Sequence, residues 1–223
     1  MATARTARTK ASGGTAVEDR PTQLLEIASR LFATHGYAGT SLRDIAEQAN
    51  ITKAALYYHF ASKEALYEQI VVNNLQSLID RVSDATKQAD GATEKVRAFM
   101  LTAADVFAEA PDAWIAGSNV FWSSMGPEIR AAAVSRRDKF EKLLRSCIAQ
   151  GVASGEFRDV DAATAGRLLL STLNQMTRWI KRDGRLTPRQ VIDQYLDIIL
   201  TGMKAPAGGE ISESRGRRAA AKS

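Results

Sequence analysis

Apolar side chains recur every three or four residues along most of the chain, which is the spacing that places them on one face of an α-helix. The first such run, at residues 24–32, follows Pro21, a residue favoured in the first turn of a helix, and Gly36 is predicted to end the helix. We find neither the apolar–polar alternation of strands nor an internal repeat. The pattern predicts an all-α protein.

A helix-turn-helix is predicted at about 41–60, from two short helices at 41–48 and 52–58 and a tight turn at 49–51. Ser41 and Thr52 stand where N-caps are needed, and Asp44 follows Ser41 by three residues, as in a capping box. In this motif the first helix supports the second, which enters the major groove of DNA. A small core against Leu25, Ala28 and Phe32 is predicted from Ile45, Ala46, Ala49, Ile51, Leu56 and Phe60.

Six further helices are predicted after this motif. Ser62 is expected to cap a long helix that runs through Val82, and Thr93 to cap a helix that ends near residue 110. Pro111 begins a helix that is apolar on several sides and stops at residues 126–127. The last three are predicted at about 128–153, 161–182 and 188–203, the final one with Thr187 as its N-cap and a proline in its first position.

The excess positive charge lies in the two ends of the chain. The formal net charge is +5, yet residues 21–203 sum to zero. The ends, 1–18 and 204–223, consist mostly of small and basic residues with almost no large apolar side chain, so they are predicted to be disordered basic tails. Net charge therefore says nothing about what the folded part binds, although basic tails attract phosphates without specificity.

The sequence argues against a membrane protein and against an enzyme. No run approaches the ~18 apolar residues of a membrane span, and no apolar run follows the basic N-terminus as in a secretory signal. Cys147 is the single cysteine, and His35 and His59 are the two histidines, which leaves little for a metal site. Nucleotide-binding and hydrolase motifs are absent from the sequence. We expect a cytoplasmic protein that needs no cofactor, metal or membrane and catalyses no reaction.

The outward side of the second short helix carries the chemistry of a DNA-reading surface. Hydroxyl, ammonium, methyl and phenol groups suit phosphates, base edges and the thymine methyl group. Lys63 is predicted in the first turn of the next helix, where a cation opposes the helix dipole and a DNA phosphate would compensate it, unless it is simply exposed. The outward residues are Thr52, Lys53, Ala54, Tyr57, Tyr58 and His59.

Residues 21–66 resemble the N-terminal domain of the TetR family of bacterial transcriptional regulators. The matching residues are Ala28, Leu31, Phe32, Gly36, Tyr37, Thr40, Ile45-Ala46-Glu47-Gln48-Ala49, Leu56-Tyr57-Tyr58-His59-Phe60 and Lys63-Glu64-Ala65-Leu66. The resemblance implies a homodimeric repressor in which residues 19–66 bind double-stranded operator DNA and residues 67–203 dimerise and bind a small inducer. It also implies DNA contacts from Thr40 or Ser41, Lys53, Tyr57, Tyr58, His59 and Lys63. One departure is Ala54, where the family commonly has glycine, and it bears on base preference rather than on the fold.

The C-terminal part is rich in large apolar groups, which form either an ordinary core or the walls of a pocket. Residues 178–202 resemble TetR-type regulators of fatty-acid and steroid acyl-CoA catabolism, which implies an acyl-CoA-like inducer with Arg178 facing its carboxylate or phosphate. A hydrophobic drug-like or aromatic effector is the alternative. The expected ligand-binding residues are Trp114, Asn119, Phe121, Trp122, Asn174, Arg178 and Trp179.

The resemblance further implies that the last two helices form a two-fold four-helix dimer interface. Two recognition helices about one DNA turn, ~34 Å, apart would then read a pseudo-palindromic operator. A DNA-binding dimer that senses no ligand is the other interpretation. The expected interface residues are Leu168, Thr172, Val191, Tyr195, Ile198 and Ile199.

Overall fold

A computed structural model describes residues 20–118, 127–181 and 183–204 of the chain, and every regular element in this part is an α-helix. The all-α prediction is therefore confirmed. The helices are α1 (Arg20–Gly39), α2 (Leu42–Gln48), α3 (Lys53–His59), α4 (Lys63–Gln88), α5 (Gly91–Glu109), α6 (Pro111–Ser118), α7 (Pro127–Ser154), α8 (Ala162–Met176) and α9 (Pro188–Met203).

The predicted caps of the two short helices are present. Ser41 accepts a hydrogen bond from the Asp44 backbone N–H, and the Asp44 carboxylate accepts one from the Ser41 N–H, which completes the capping box of α2. Thr52 caps α3 by accepting from the Ala55 N–H at 3.1 Å. Between them Asn50 adopts a left-handed conformation with φ 53°, which asparagine tolerates better than other residues with a side chain. These local signals explain why the turn forms where it does.

Two clusters of buried apolar side chains hold the described helices together, and α4 contributes to both. The N-terminal cluster joins α1, α2 and α3 to the first part of α4, as far as Val71, and includes Ala133 from α7. The C-terminal cluster begins on α4 at Leu78 and extends through α5, α7, α8 and α9. A single continuous helix thus links the two halves of the molecule.

Two of the predicted helix boundaries are wrong, for identifiable reasons. Helix α8 ends at Met176 rather than near 182, because the N–H groups of Arg178 and Trp179 bond three residues back, to the carbonyl oxygens of Gln175 and Met176 at 3.1 and 3.2 Å. Helix α5 is not capped by Thr93. Its start is instead capped by the Glu156 carboxylate, which accepts from the Ala92 and Thr93 N–H groups at 2.8 and 3.0 Å.

The C-terminal end of α9 is tied to the segment that follows α7. Phe157 and Lys204 form an isolated antiparallel bridge, and the Arg158 N–H donates to the Met203 carbonyl oxygen at 2.8 Å. Lys204, predicted to begin the disordered tail, is therefore part of the folded body. The rest of both predicted tails lies outside the described residues. Among the helices that are described, none is long and apolar enough to cross a membrane.

Candidate nucleic-acid interface and ligand cavity

Helix α3 is anchored on one side and open on the other. Leu56 is fully buried in the N-terminal cluster, and Phe60 at the C-cap is buried beside it. On the opposite side Tyr58 is 87% exposed and Tyr57 46% exposed, and both are large aromatic residues of the kind that usually finds apolar cover. The helix is therefore held in place by its buried side and exposes the side chains of Tyr57 and Tyr58 on the other.

The polar residues predicted on this open side lie there with Tyr57 and Tyr58. Lys53 is exposed, with its ammonium nitrogen 5.6 Å from the centre of the Tyr57 ring. Thr52 and Ala54 are also exposed, and His59 is half-buried. Ser41, at the start of α2, is exposed as well, although its hydroxyl oxygen is occupied by the cap. Cationic, hydroxyl and aromatic groups on one open helix suit a phosphate backbone and the edges of bases.

Thr40 needs correction as an expected DNA contact. Its side chain is 2% exposed, and its hydroxyl donates inward to the carbonyl oxygens of Leu31 and Gly36, at 3.2 and 3.0 Å. These bonds close the end of α1, where Gly36 interrupts the helical dihedral angles with φ 72°. Thr40 shapes the turn that leads to α2 and leaves no side-chain group for DNA.

Lys63 is also occupied within the protein. Its ammonium group donates to the backbone oxygens of Tyr37 and Thr40, at 2.8 and 2.9 Å, and lies over the Tyr37 ring. These carbonyl dipoles and the ring face compensate the cation at the start of α4, so no DNA phosphate is needed for that purpose. Sequence reasoning missed this arrangement because the acceptors lie 26 and 23 positions earlier in the chain.

A cavity of about 670 Å³ opens between the helices of the C-terminal half. Its volume lies within the usual range for small-molecule sites. Helices α4, α5, α6, α7 and α8 all contribute, and the residues after Met176 complete one side. Apolar lining residues are Val71, Leu75, Leu78, Val106, Ala110, Ala113, Trp114, Ile115, Phe140, Leu170 and Leu173, and the polar ones are Asn74, Ser77, Arg81, Glu109, Arg137, Glu141, Asn174, Gln175, Thr177 and Arg178.

Of the expected ligand-binding residues, Trp114, Asn174 and Arg178 line this cavity. Trp179 does not: it is 50% exposed, because α8 ends before it and the turn directs the chain away from the helical path. Asn119, Phe121 and Trp122 lie outside the described residues. Sequence reasoning missed Asn74, Arg81 and Arg137, which come from helices distant in sequence and carry no local signal.

Both glutamates that line the cavity form ion pairs. Glu109 pairs with Arg81, which also lines the cavity, and Glu141 pairs with Arg145, which does not. Arg81 donates two hydrogen bonds to Glu109, one of 2.8 Å, and this raises the pKa of Arg81 and lowers that of Glu109. Glu141 is 3.4 Å from Nε of Arg145. The indole N–H of Trp114 is buried without a hydrogen-bond partner, which is unusual for a buried donor. No cluster of acidic, histidine or cysteine side chains that could hold a metal ion occurs in the described segments.

The expected dimer surface is exposed in part. Ile198 on α9 is 73% exposed, and Leu168 on α8 is exposed as well, although both are large aliphatic residues. Thr172, Tyr195 and Ile199 are half-buried. The expectation that Val191 belongs to the dimer interface is wrong. Its side chain is 4% exposed and packs in the C-terminal cluster of its own chain. Trp179 lies in the turn that follows α8 and is also exposed.

Two family models match the chain in its two halves. The model described as bacterial regulatory proteins, tetR family, matches residues 24–70, and the model described as tetracyclin repressor-like, C-terminal domain, matches residues 89–203. The first match covers the helix-turn-helix and the second covers most of the cavity. The resemblance noted from the sequence is thereby confirmed.

Several known transcriptional regulators are similar to this chain over most of their length. The HTH-type transcriptional repressor KstR2 of Rhodococcus jostii is 30% identical over 188 residues, or 84% of this chain and 92% of that protein. The crystal structure of the TetR family regulator PfmR from Thermus thermophilus has a TM-score of 0.76 and 38% identity, covering 80% of this chain and 97% of PfmR. The structure of AibR in complex with isovaleryl coenzyme A and operator DNA has a TM-score of 0.74 and 28% identity, over 81% and 97% of the two chains.

Proposed function

Because the chain belongs to the TetR family of bacterial regulatory proteins, we propose that it is a homodimeric repressor that leaves its operator when a small molecule fills the cavity. The observation that carries the proposal is the open side of α3. Lys53, Tyr57 and Tyr58 are exposed there, on the side of the helix opposite the buried Leu56. A chain of this family is a regulator of transcription and not an enzyme, and we place its action in the cytoplasm, where the DNA is.

The proposed DNA surface consists of the open side of α3 together with the start of α2. Lys53 and the tyrosine phenols contact phosphates, and Ala54 lies where a methyl group meets a base edge. Ser41 and Thr52 stand at helix starts, where backbone N–H groups also suit phosphate oxygens. His59 completes the surface. Thr40 and Lys63 act indirectly, because they fix the position of α1 relative to α2 and α4.

The proposed dimer uses the exposed apolar groups of α8, α9 and the turn after α8. The exposed large apolar residues of the described chain are Tyr57, Tyr58, Val134, Leu168, Trp179 and Ile198. The first two belong to the DNA surface, and three of the remaining four lie in this one region. A two-fold axis through it brings identical patches together, and the two α3 helices then read a pseudo-palindromic operator.

Ligand binding is proposed to act on DNA affinity through α4 and α6. Helix α4 carries Leu66 in the N-terminal cluster and Leu78 at the cavity, so both sites share one rigid element. Helix α6 lines the cavity with Trp114 and also packs against α1. The ligand must bind the conformation with separated or tilted recognition helices more tightly than the DNA-bound one, since equal affinity for both shifts nothing.

The proposed ligand is a hydrophobic or acyl-CoA-like compound. Support comes from the apolar lining of the cavity, from Arg178 at its wall, and from AibR, whose structure contains isovaleryl coenzyme A. Arg178 is exposed, and its guanidinium is available to a carboxylate or phosphate at the cavity mouth. An aromatic, drug-like effector would occupy the same apolar walls without this contact.

The decisive experiment measures binding of the full chain to the DNA that flanks its own gene. Fluorescence anisotropy with labelled fragments should identify one pseudo-palindromic site bound by two chains. Failure to bind any flanking site would count heavily against the proposal. A thermal-shift screen of acyl-CoA thioesters and aromatic compounds then tests sensing, because a ligand of the folded protein raises its melting temperature. A compound that does so should also release the DNA, whereas a protein that only dimerises on DNA would show neither effect.

A further inference from the structure

We propose that residues 1–19 make a second contact with the operator, in which Arg5 and Arg8 enter the minor groove next to the major groove that α3 occupies. This inference rests on the proposed DNA-binding function and adds a further part to its DNA surface. Three features support it: the few cations on the helix-turn-helix, the place at which residues 1–19 join the fold, and the charges that these residues carry.

The described DNA surface offers few cations to a polyanion. Residues 20–66 carry five basic and four acidic side chains, a net charge of +1, whereas duplex DNA carries one negative charge every ~1.7 Å. Two of the five cations already have partners, because Lys63 donates to backbone oxygens and Arg43 pairs with Glu47 at 2.7 Å. Helix α3 itself contains one lysine, Lys53, and no arginine. Further cations from elsewhere in the chain would therefore strengthen DNA binding considerably.

Residues 1–19 join the fold beside the helix-turn-helix. The guanidinium of Arg20, the first described residue, donates to the Ala49 backbone oxygen at 2.9 Å. Ala49 is the C-cap of α2 and stands three positions before Thr52, the N-cap of α3. Leu24, one turn into α1, is fully buried in the N-terminal cluster, so the start of α1 is fixed against this turn. Residues 1–19 are therefore attached close to the start of α3.

The cations of this segment lie together and away from its acids. Arg5, Arg8 and Lys10 are its basic residues, and no acidic residue occurs before Glu18. Lys10 stands eight positions before Glu18, about 26 Å in an extended chain, a distance at which exposed charges are largely screened. Arginine suits the minor groove, whose negative potential is strongest where A·T pairs make it narrow. Basic segments attached to other DNA-binding domains enter the minor groove in this way.

The segment is long enough to reach that groove. Arg8 stands twelve positions before Arg20, and twelve extended residues span up to about 40 Å. Arg5 stands fifteen positions before Arg20, which allows up to about 50 Å. Neighbouring major and minor grooves are half a turn apart, roughly 17 Å along the DNA axis. Both arginines can therefore reach the next minor groove while α3 remains in the major groove.

The basic segment at the other end of the chain is attached elsewhere. Residues 205–223 follow Lys204, which is bridged to Phe157 in the C-terminal cluster, whereas Ala49 belongs to the N-terminal cluster. The basic residues of this second segment are Arg215, Arg217, Arg218 and Lys222. Its charge thus resembles that of residues 1–19 while its attachment differs. A comparison of the two ends separates the effect of position from the effect of charge.

The test compares full-length chains that lose three cations from one end or the other. One variant carries R5Q, R8Q and K10Q, and the control carries R215Q, R217Q and R218Q, which removes the same charge. Fluorescence anisotropy measures the affinity of the wild type and of both variants for a labelled duplex that contains the flanking site bound by the wild type. The titrations are repeated over a series of salt concentrations.

We expect the N-terminal variant to bind about tenfold or more weakly than the wild type at about 0.1 M salt. The slope of log affinity against log salt should fall by about 2–3, since each neutralised phosphate contributes about 0.9 to it. The C-terminal variant should keep the wild-type affinity and slope. An unchanged slope in the N-terminal variant, or an equal loss in both variants, would overturn the inference.

A change of the flanking base pairs identifies the groove. Two duplexes share the same half-sites, and the pairs outside them are all A·T in one and all G·C in the other. G·C pairs place an amino group in the minor groove and lack the narrow groove of A·T runs. The wild type should prefer the A·T flanks, and the N-terminal variant should bind both duplexes equally.

Equal binding of the two duplexes by the wild type, or an undiminished preference in the N-terminal variant, would contradict the minor-groove contact. Failure of the wild type to bind any flanking site is a different result, because it would refute the proposed DNA-binding function itself. Operator binding by a wild type whose salt slope matches that of the N-terminal variant would leave the regulator proposal intact and remove this inference alone.

Discussion

The ammonium group of Lys63 lies 4.2 Å from the centre of the Tyr37 ring and donates a hydrogen bond of 2.8 Å to the Tyr37 backbone oxygen. The next residue, Glu64, accepts a hydrogen bond from the Tyr37 phenol at 2.8 Å. Burial, and after it this bond, raises the pKa of Tyr37. The backbone N–H of Glu64, and after it the same bond, lowers the pKa of Glu64. The first turn of α4 therefore holds the end of α1 from two sides. These contacts join the end of α1 to the start of the long helix.

Replacement of Lys63 tests this structural role. Lys63→Met leaves two carbonyl oxygens without their donor, and we expect the free energy of unfolding to fall by about 1–3 kcal/mol. Urea unfolding followed by circular dichroism measures the change. Lys53→Met is the matched control: this lysine is exposed on α3, and its loss should leave stability within about 0.5 kcal/mol. Equal stability of the two variants would argue that Lys63 has no such role.

Tyr57→Ala should separate DNA binding from folding. The ring is 46% exposed and contributes little to the N-terminal cluster, so we expect the melting temperature to change by no more than a few degrees. Operator affinity should fall by about tenfold or more, because a phosphate or base contact of about 1–3 kcal/mol is lost. Anisotropy titrations and thermal unfolding measure the two quantities. A large fall in the melting temperature of the Tyr57→Ala variant would mean that the ring belongs to the core.

A charge in the proposed dimer surface should separate the chains. Ile198→Asp buries a carboxylate in an apolar interface, which is strongly unfavourable without a partner. Size-exclusion chromatography with light scattering should then give the mass of a single chain, 24.2 kDa, in place of twice that value. Val134→Asp carries the same change at an exposed aliphatic residue on α7, a helix that contributes none of the proposed interface residues, and should leave the dimer intact. A dimeric Ile198→Asp variant would place the interface elsewhere.

Glu156 gives the stability of the C-terminal half a dependence on pH. The two N–H groups at the start of α5 lower the pKa of its carboxyl, so the folded state holds the charged form. This contribution is present above the ordinary glutamate pKa and is lost as pH falls through the lowered value. Glu156→Ala should cost about 1 kcal/mol at neutral pH, a typical cost of losing a cap.

The difference between wild type and Glu156→Ala should narrow in acid, where both lack the charged cap. Denaturant unfolding at a series of pH values between neutral and the acid range measures it. A constant difference across that range would show that the charge of Glu156 contributes nothing.

Gly151 is predicted to accept no side chain. A Cβ there would lie 2.2 Å from Cδ2 of Phe157 and 2.8 Å from the Cβ of Ala92, both of them buried neighbours. We expect Gly151→Ala to destabilise by about 1–3 kcal/mol, the usual cost of overpacking. Gly202→Ala is the control, since nothing lies within 4 Å of the added atom, and it should stabilise α9 by about 0.5–1 kcal/mol. Thermal unfolding of both variants measures the contrast.

The helix-turn-helix is predictable from sequence because each of its signals acts over a few residues. Ser41 caps α2 through Asp44, and Thr52 caps α3 through Ala55, three positions apart in both cases. The buried side of α3 follows from the spacing of Leu56 and its neighbours. Such information is present in any short window of the chain.

The errors occur where a distant residue decides the outcome. The cap of α5 comes from Glu156, 64 positions after Ala92, so the nearby Thr93 was a misleading signal. Val191 and Ile198 lie seven positions apart on the same face of α9, and periodicity cannot tell them apart. Only the neighbouring helices do so, because they cover Val191 and leave the Ile198 side chain exposed. Arg137 escaped notice for the same reason.

Helix α4 has 26 residues without a break, which makes it about 39 Å long at 1.5 Å per residue. A rod of this length converts a small angle at one end into a useful distance at the other: a tilt of about 5° moves the far end by about 3 Å, roughly the length of a hydrogen bond. In the proposed mechanism, a ligand that moves Val71 and Leu78 slightly away from the facing helices would thus carry each recognition helix out of register with its DNA groove. The leverage comes from the unbroken rod itself, so a glycine or proline inserted near its centre would uncouple sensing from release while both ends remained folded.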